Sequence, residues 1–131
     1  MSKARKLEGL LKLVQKLDRQ SSKIPILVEG KNDRLALRRL GIRGEIMCIK
    51  SSSNILYDIL DDVSSTEIIL LVDFDDYGIS LAKNIIQHLE KKRIKVNTHF
   101  WRRLKALVRR DVKDVEGIVS YLEKLKKSSP Q

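Results

Sequence analysis

Cysteine occurs once in these 131 residues, at Cys48, so no disulfide can form within the chain. Lying inside the apolar run Ile46 to Ile49, it reads as a buried thiol. One cysteine also cannot build a cysteine-based zinc domain. Aromatics are scarce, two Phe and one Trp among them, so the core must be aliphatic. No apolar run approaches the ~20 residues of a membrane span. Charges interrupt Leu7 to Leu17, which excludes a signal peptide there. A soluble cytoplasmic protein with no membrane partner is expected. Internal repeats and low-complexity segments are also lacking.

The length suits one domain with a single core. Its net charge is +10, unevenly spread: Lys91 to Arg110 holds nine Lys or Arg and no acid. Such a stretch suits a polyanion, nucleic acid before an anionic membrane, or else a solvated face.

Periodicity predicts a helix over 2–20, with Leu7, Leu10, Leu11, Val14 and Leu17 on one side. Residues 1–23 then form this amphipathic helix and a linker, 24–125 an α/β domain, and 126–131 a frayed tail. Short aliphatic runs predict strands at 24–28, 45–49, 67–73 and 95–100. Helices are expected over 31–40 (with Leu35, Leu37 and Leu40 facing the core and Gly41 closing), from Ser51–Ser53 to Leu60, over 78–92, over 101–108, and from Val115 to Leu125. Strand and helix alternate four times, which implies a compact, mostly parallel four-stranded sheet with helices on both faces.

Two strands end in acids. Ile24 to Val28 runs into Glu29-Gly30, and Ile68 to Val72 into Asp73-Phe-Asp75-Asp-Tyr-Gly78. Ligands of open α/β sheets bind at the carboxyl ends of the strands. In extended chain Asp73 and Asp75 point the same way, Asp76 faces elsewhere or starts the turn, and Gly78 admits a bend into the next helix. Three carboxylates crowded together repel unless a cation offsets them, and an all-oxygen set suits Mg²⁺, with Mn²⁺ acceptable, over zinc. Such an ion can orient a phosphodiester. Against this, Asp after a strand also caps helices, the stronger reading for Asp76 and Asp114.

Strand–Glu29-Gly30 followed by strand–Asp73-x-Asp75-x-x-Gly78 resembles the Toprim domain, a Rossmann-like module of primases, topoisomerases, recombination-repair proteins and ribosomal-RNA maturation nucleases. Val28-Glu-Gly-Lys-Asn-Asp33 and Arg110-Asp-Val-Lys-Asp-Val-Glu116 are similar to segments of the maturation-nuclease and small stand-alone branches. The resemblance spans about residues 24 to 120. It implies that Glu29 is a general acid/base and that Asp73 and Asp75, with Glu29 beside them, hold Mg²⁺. The chain departs from the nuclease pattern at Lys113-Asp114, which leaves the roles of Asp111, Asp114 and Glu116 open. No separate domain carries a topoisomerase tyrosine, and Tyr77 reads as packed beside its turn.

Lys31, Arg34 and Arg38 follow Glu29-Gly30 closely enough to meet phosphates. Ser52 and Ser53 precede a helix and cap it or bind an anion. Arg102, Arg103, Lys105, Arg109 and Arg110 form the strongest cationic group, beside a Trp101 that is core or a base-stacking ring. Together these give a Toprim-type protein binding RNA in preference to DNA. Either it performs Mg²⁺-dependent cleavage or transfer of phosphodiesters in RNA processing, or it is a non-catalytic RNA-binding module of a larger RNA-processing complex. The stripe of the first helix packs on its own sheet or on a second protomer, and the sequence leaves both open.

Overall fold

The computed structural model of the protein describes residues 2–50, 61 and 63–128. Four strands, β1 (Ile26–Val28), β2 (Ile46–Cys48), β3 (Glu67–Leu71) and β4 (Lys95–Asn97), form one sheet. Their order is β2-β1-β3-β4 and every pairing is parallel. The central pair aligns Val28 with Leu71, and both strands are buried along almost their whole length. This is why they read as unbroken aliphatic runs rather than alternating ones. Pro25, which cannot donate, still joins the ladder because its carbonyl accepts from Ile69 N at 2.9 Å.

The helices placed in full among the described residues are α1 (Lys3–Ser21), α2 (Lys31–Arg39), α3 (Asp76–Lys91), α4 (His99–Val108) and α5 (Val115–Ser128). The β1–α2–β2 connection moves one way along the sheet and β3–α3–β4 the other. With right-handed crossovers, α2 and α3 fall on opposite faces. The expected helix from Ser51–Ser53 to Leu60, with its anion site at Ser52 and Ser53, lies outside the described residues.

Helix α1 begins at a Ser2 cap, whose hydroxyl accepts from Arg5 N at 3.2 Å. It buries Leu10, Leu13 and Leu17, and it packs on α4 and α5 of its own chain. Leu13 joins Leu10 and Leu17 of the expected stripe of Leu7, Leu10, Leu11, Val14 and Leu17. All three buried leucines belong to the same core as the strands, so α1 is part of the folding unit.

One burial and two boundaries differ from expectation for local reasons. Leu35 is 59% exposed, whereas Leu37 is buried. Residues two apart point to different sides of a helix, so both could not face the core. β4 stops at Asn97 because its side-chain oxygen accepts from His99 N at 2.9 Å, turning the chain into α4. Phe100 is therefore a buried helix residue, not a strand residue. The presumed tail is helical through Ser128, with Leu125 buried. Gly41 closes α2 as expected, at φ +95°.

Candidate active site at the carboxyl edge of the sheet

Strand order reverses direction between β1 and β3, and a crevice opens outside their carboxyl ends. Glu29 leaves β1 directly into it; Asp73 arrives two residues after β3 ends. Both line one cleft of about 570 Å³ with Gly30, Lys31, Asp33, Lys50, Asp114 and Glu116.

Glu29 is buried, and its Oε1 accepts from Lys50 Nζ at 3.1 Å. Lys50 stands just past β2, held in place by its own N–H donating to the Glu29 carbonyl at 3.0 Å. Its ammonium also lies 5.7 Å from the Tyr77 ring centroid. The hydrogen bond it donates to Glu29 raises the Lys50 pKa, so the lysine stays charged.

Burial, first, pushes the Asp73 carboxyl up to about 7; the charges of Glu29, Asp33 and Asp114 and a hydrogen bond with Glu29 act in the same direction. A proton on Asp73 thus serves the pair. With both groups ionised, Glu29 Oε2 and Asp73 Oδ1 are buried oxygens without a hydrogen-bond partner. Orphaned buried polar atoms are costly, and two anionic ones side by side call for a cation or a proton. Among the described residues, no group of three or more His, Cys, Asp or Glu converges into a metal cage. That is compatible with Mg²⁺, which is usually held by one or two carboxylates and keeps several waters and phosphate oxygens. The residues present fit such an ion.

Gly78 shapes the approach to Asp73. A Cβ at position 78 would stand 2.1 Å from the Asp73 carbonyl oxygen, so only glycine lets the first turn of α3 close over this residue. Asp75 occupies the N-cap of α3, with its Oδ1 accepting from Gly78 N at 2.8 Å. Its side chain is spent there and does not line the cleft. The chain has already turned at Phe74, whose N–H donates to the Lys113 carbonyl at 2.8 Å, so the two aspartates do not point together.

The same bond brings the start of α5 to the cleft. Asp114 Oδ1 accepts from Gly117 N at 2.7 Å, the expected cap, and also faces the acids. Asp33 lies across the cleft and caps α2 through Gly30 N at 3.0 Å; burial pushes its pKa up. Asp111 is elsewhere, paired with Lys6 at 3.3 Å. Lys50 and Asp33 were not picked out from sequence as site residues, and the role of Glu116 was left open. A lysine directly after a buried strand, at the same edge as Glu29, was the available signal for the first.

The cations divide. Lys31 lines the acidic cleft. Arg34, on the same helix, is half-buried. Arg38 is committed to the chain's own turn, donating to the carbonyls of Ile42 and Gly44 at 2.9 and 2.8 Å. Arg102 and Arg103 flank a cleft at the end of β4 with Lys95, Asn97 and His99. Arg109 and Arg110 line a third, beside Lys6. Trp101 is core: it is buried and its Nε1 donates to the Val72 carbonyl at 2.9 Å, with Lys105 Nζ 5.7 Å from the ring. Cys48 is buried and its Sγ lies 3.5 Å from the Gly30 carbonyl; burial pushes the thiol up, which makes it inert. No described helix is long and apolar enough to cross a membrane.

A family model described as Toprim-like matches residues 26–115. A UPF0292 protein of Methanocaldococcus jannaschii is 36% identical over 89% of this chain and 92% of its own length. One from Thermococcus gammatolerans is 35% identical over 98% of this chain and 95% of its own. Among solved structures, a protein from Aquifex aeolicus superposes with a TM-score of 0.67 at 25% identity, covering 81% of this chain and 94% of that one.

Proposed function

The chain belongs to the Toprim-like family, and from that premise we propose that it carries out Mg²⁺-dependent phosphodiester cleavage or transfer on RNA in the Glu29–Asp73 cleft. Toprim domains as a family act on nucleic acids and bind Mg²⁺, which sets the class of chemistry. The observation that carries the reading is the pair of orphaned oxygens, Glu29 Oε2 and Asp73 Oδ1, at the point where the sheet reverses its strand order.

Asp73, with Asp75 close by in sequence, is the residue to hold the ion, which when bound would draw a phosphate oxygen in and stabilise charge on attacking and leaving oxygens. Glu29 is placed to take and return a proton, because one oxygen is fixed by Lys50 and the other is left without a partner. Lys50 and Lys31 supply positive charge at the cleft, where a backbone phosphate would otherwise meet only acids. Arg102 and Arg103, beyond the end of β4, give a longer RNA strand further phosphate contacts.

The test incubates the purified protein with labelled structured RNA, single-stranded RNA and DNA, in Mg²⁺, in Mn²⁺ and in EDTA. Cleavage or transfer of RNA that requires the metal and is lost in Asp73→Asn supports the proposal. A second reading, a non-catalytic RNA-binding module of a larger complex, is favoured by the commitment of Asp75 to the helix cap. Wild-type protein that binds RNA in Mg²⁺ without turning it over gives that reading the field.

A further inference from the structure

Two large apolar side chains are exposed among the described residues, Leu35 at 59% and Tyr77 at 58%. Leu35 lies on the outer side of α2 and does not line the acidic cleft. Tyr77 is different. It is the second residue of α3, two after the Asp75 cap, and Lys50 Nζ bridges from its ring, 5.7 Å away, to Glu29 Oε1 at 3.1 Å. The ring is thus one ammonium removed from the acid that faces the reacting position. The expectation that Tyr77 packs against its turn fails, since more than half of its surface is open to solvent.

We infer that Tyr77 is a stacking platform for a nucleobase, and that Lys50 and Tyr77 together form a docking point for one nucleotide beside the acidic cleft. The ligand class is a single-stranded nucleic acid, because a base paired in a helix offers no free face. The inference rests on reading the cleft as an RNA phosphate site and adds the element that orients the strand. An exposed aromatic face gains little by contact with water, whereas a base stacked on it buries both surfaces without regard to base identity. Lys50 suits the neighbouring phosphate: its side chain is 61% exposed, and an ammonium has three N–H donors, so it can meet an anion while one donor stays on Glu29 Oε1. Tyr77 is a positioning residue in this scheme. It orients the strand and takes no part in proton transfer.

The experiment measures binding of a short oligouridylate, and of an abasic ribose-phosphate strand of equal length, by fluorescence anisotropy in Mg²⁺ across a salt series. The expected result has three parts. Wild type prefers the strand with bases. Tyr77→Ala loses affinity for it by about five- to 150-fold with the salt slope unchanged, since no phosphate contact is removed. Tyr77→Phe binds like wild type, because stacking needs the ring and not the hydroxyl. Lys50→Gln should instead lower the salt slope by about 0.7. Equal binding of basic and abasic strands by wild type, or full affinity in Tyr77→Ala, overturns the platform and leaves the cleft's function standing. A loss in Tyr77→Phe as large as in Tyr77→Ala also overturns it, since the hydroxyl is then the active part. Failure of wild type to bind any strand overturns the functional reading itself. Because Tyr77 is exposed, its variants should fold, and unchanged thermal melting confirms it.

Discussion

The backbone of Gly78 sits against the carbonyl of Asp73 so closely that a Cβ there would be 2.1 Å from the oxygen. Helix α3 and Asp73 are therefore fixed to each other by main-chain contact. Gly78→Ala must push them apart. We expect a loss of at least ~1–3 kcal/mol, the usual range for overpacking, and weakened Mg²⁺ binding. Urea denaturation checks the first and metal-dependent melting the second. A variant as stable as wild type, with intact metal response, would show that the site tolerates a shift of α3.

Asp73 makes metal-free stability depend on pH in a direction opposite to that of ordinary surface carboxylates. Its folded pKa, about 7, is above the unfolded value of 3.8, so the folded state binds the proton more tightly. Its contribution is fully present below pH 3.8 and is lost as pH rises to about 7. Wild type should lose stability over this window relative to Asp73→Asn, measured by urea midpoints in EDTA. Mg²⁺ should reverse the loss above pH 7, by about 2.7 kcal/mol at a hundredfold excess over Kd, and Asp73→Asn combined with Asp75→Asn should abolish the gain. Parallel pH profiles of wild type and Asp73→Asn would remove Asp73 as the coupled acid.

Glu29→Gln preserves shape and removes a charge. If the protein turns RNA over, this change should lower the chemical step by ~10²–10⁴-fold while RNA affinity stays about the same. Relief of the Glu29 charge should also lower the Asp73 pKa toward the ordinary carboxylate range, visible by carboxyl NMR titration. Full metal-dependent turnover in the variant would sink the proton-transfer role.

RNA binding should be salt-dependent through the cations at the end of β4 and beyond α4. If about four phosphates of a single strand are neutralised, the log–log salt slope is roughly −3, or about fiftyfold weaker binding from about 50 to 200 mM salt. Converting Arg102, Arg103, Arg109 and Arg110 to Glu should remove most of it in a filter-binding or anisotropy assay. A flat salt response would return this stretch to a solvated surface.

The two central strands were legible because buried parallel strands leave unbroken aliphatic runs, and Glu29 and Asp73 because each ends such a run. Asp75 was legible as a motif member but not as a cap, since strand continuation and a turn at Phe74 leave the same letters in the sequence. Lys50 and Asp33 were hidden, and Glu116 left without a role, for another reason. Each is one charged residue among many, and only three-dimensional folding brings the ends of β2, α2 and α5 to one cleft. Leu35 and Leu37 show the same limit on a smaller scale: composition marks both as core, and helical geometry admits one.

The pairing of Val28 with Leu71 also dictates when the site can exist. The β1–β3 contact is long-range in sequence and closes a large loop, a slow kind of event in folding. Neither acid can meet the other before it forms, and no fragment ending before β3 holds both. During synthesis the Glu29–Asp73 pair therefore cannot assemble until β3 has left the ribosome. If the cleft binds Mg²⁺ as proposed, the metal response can serve as a clock for the completion of folding.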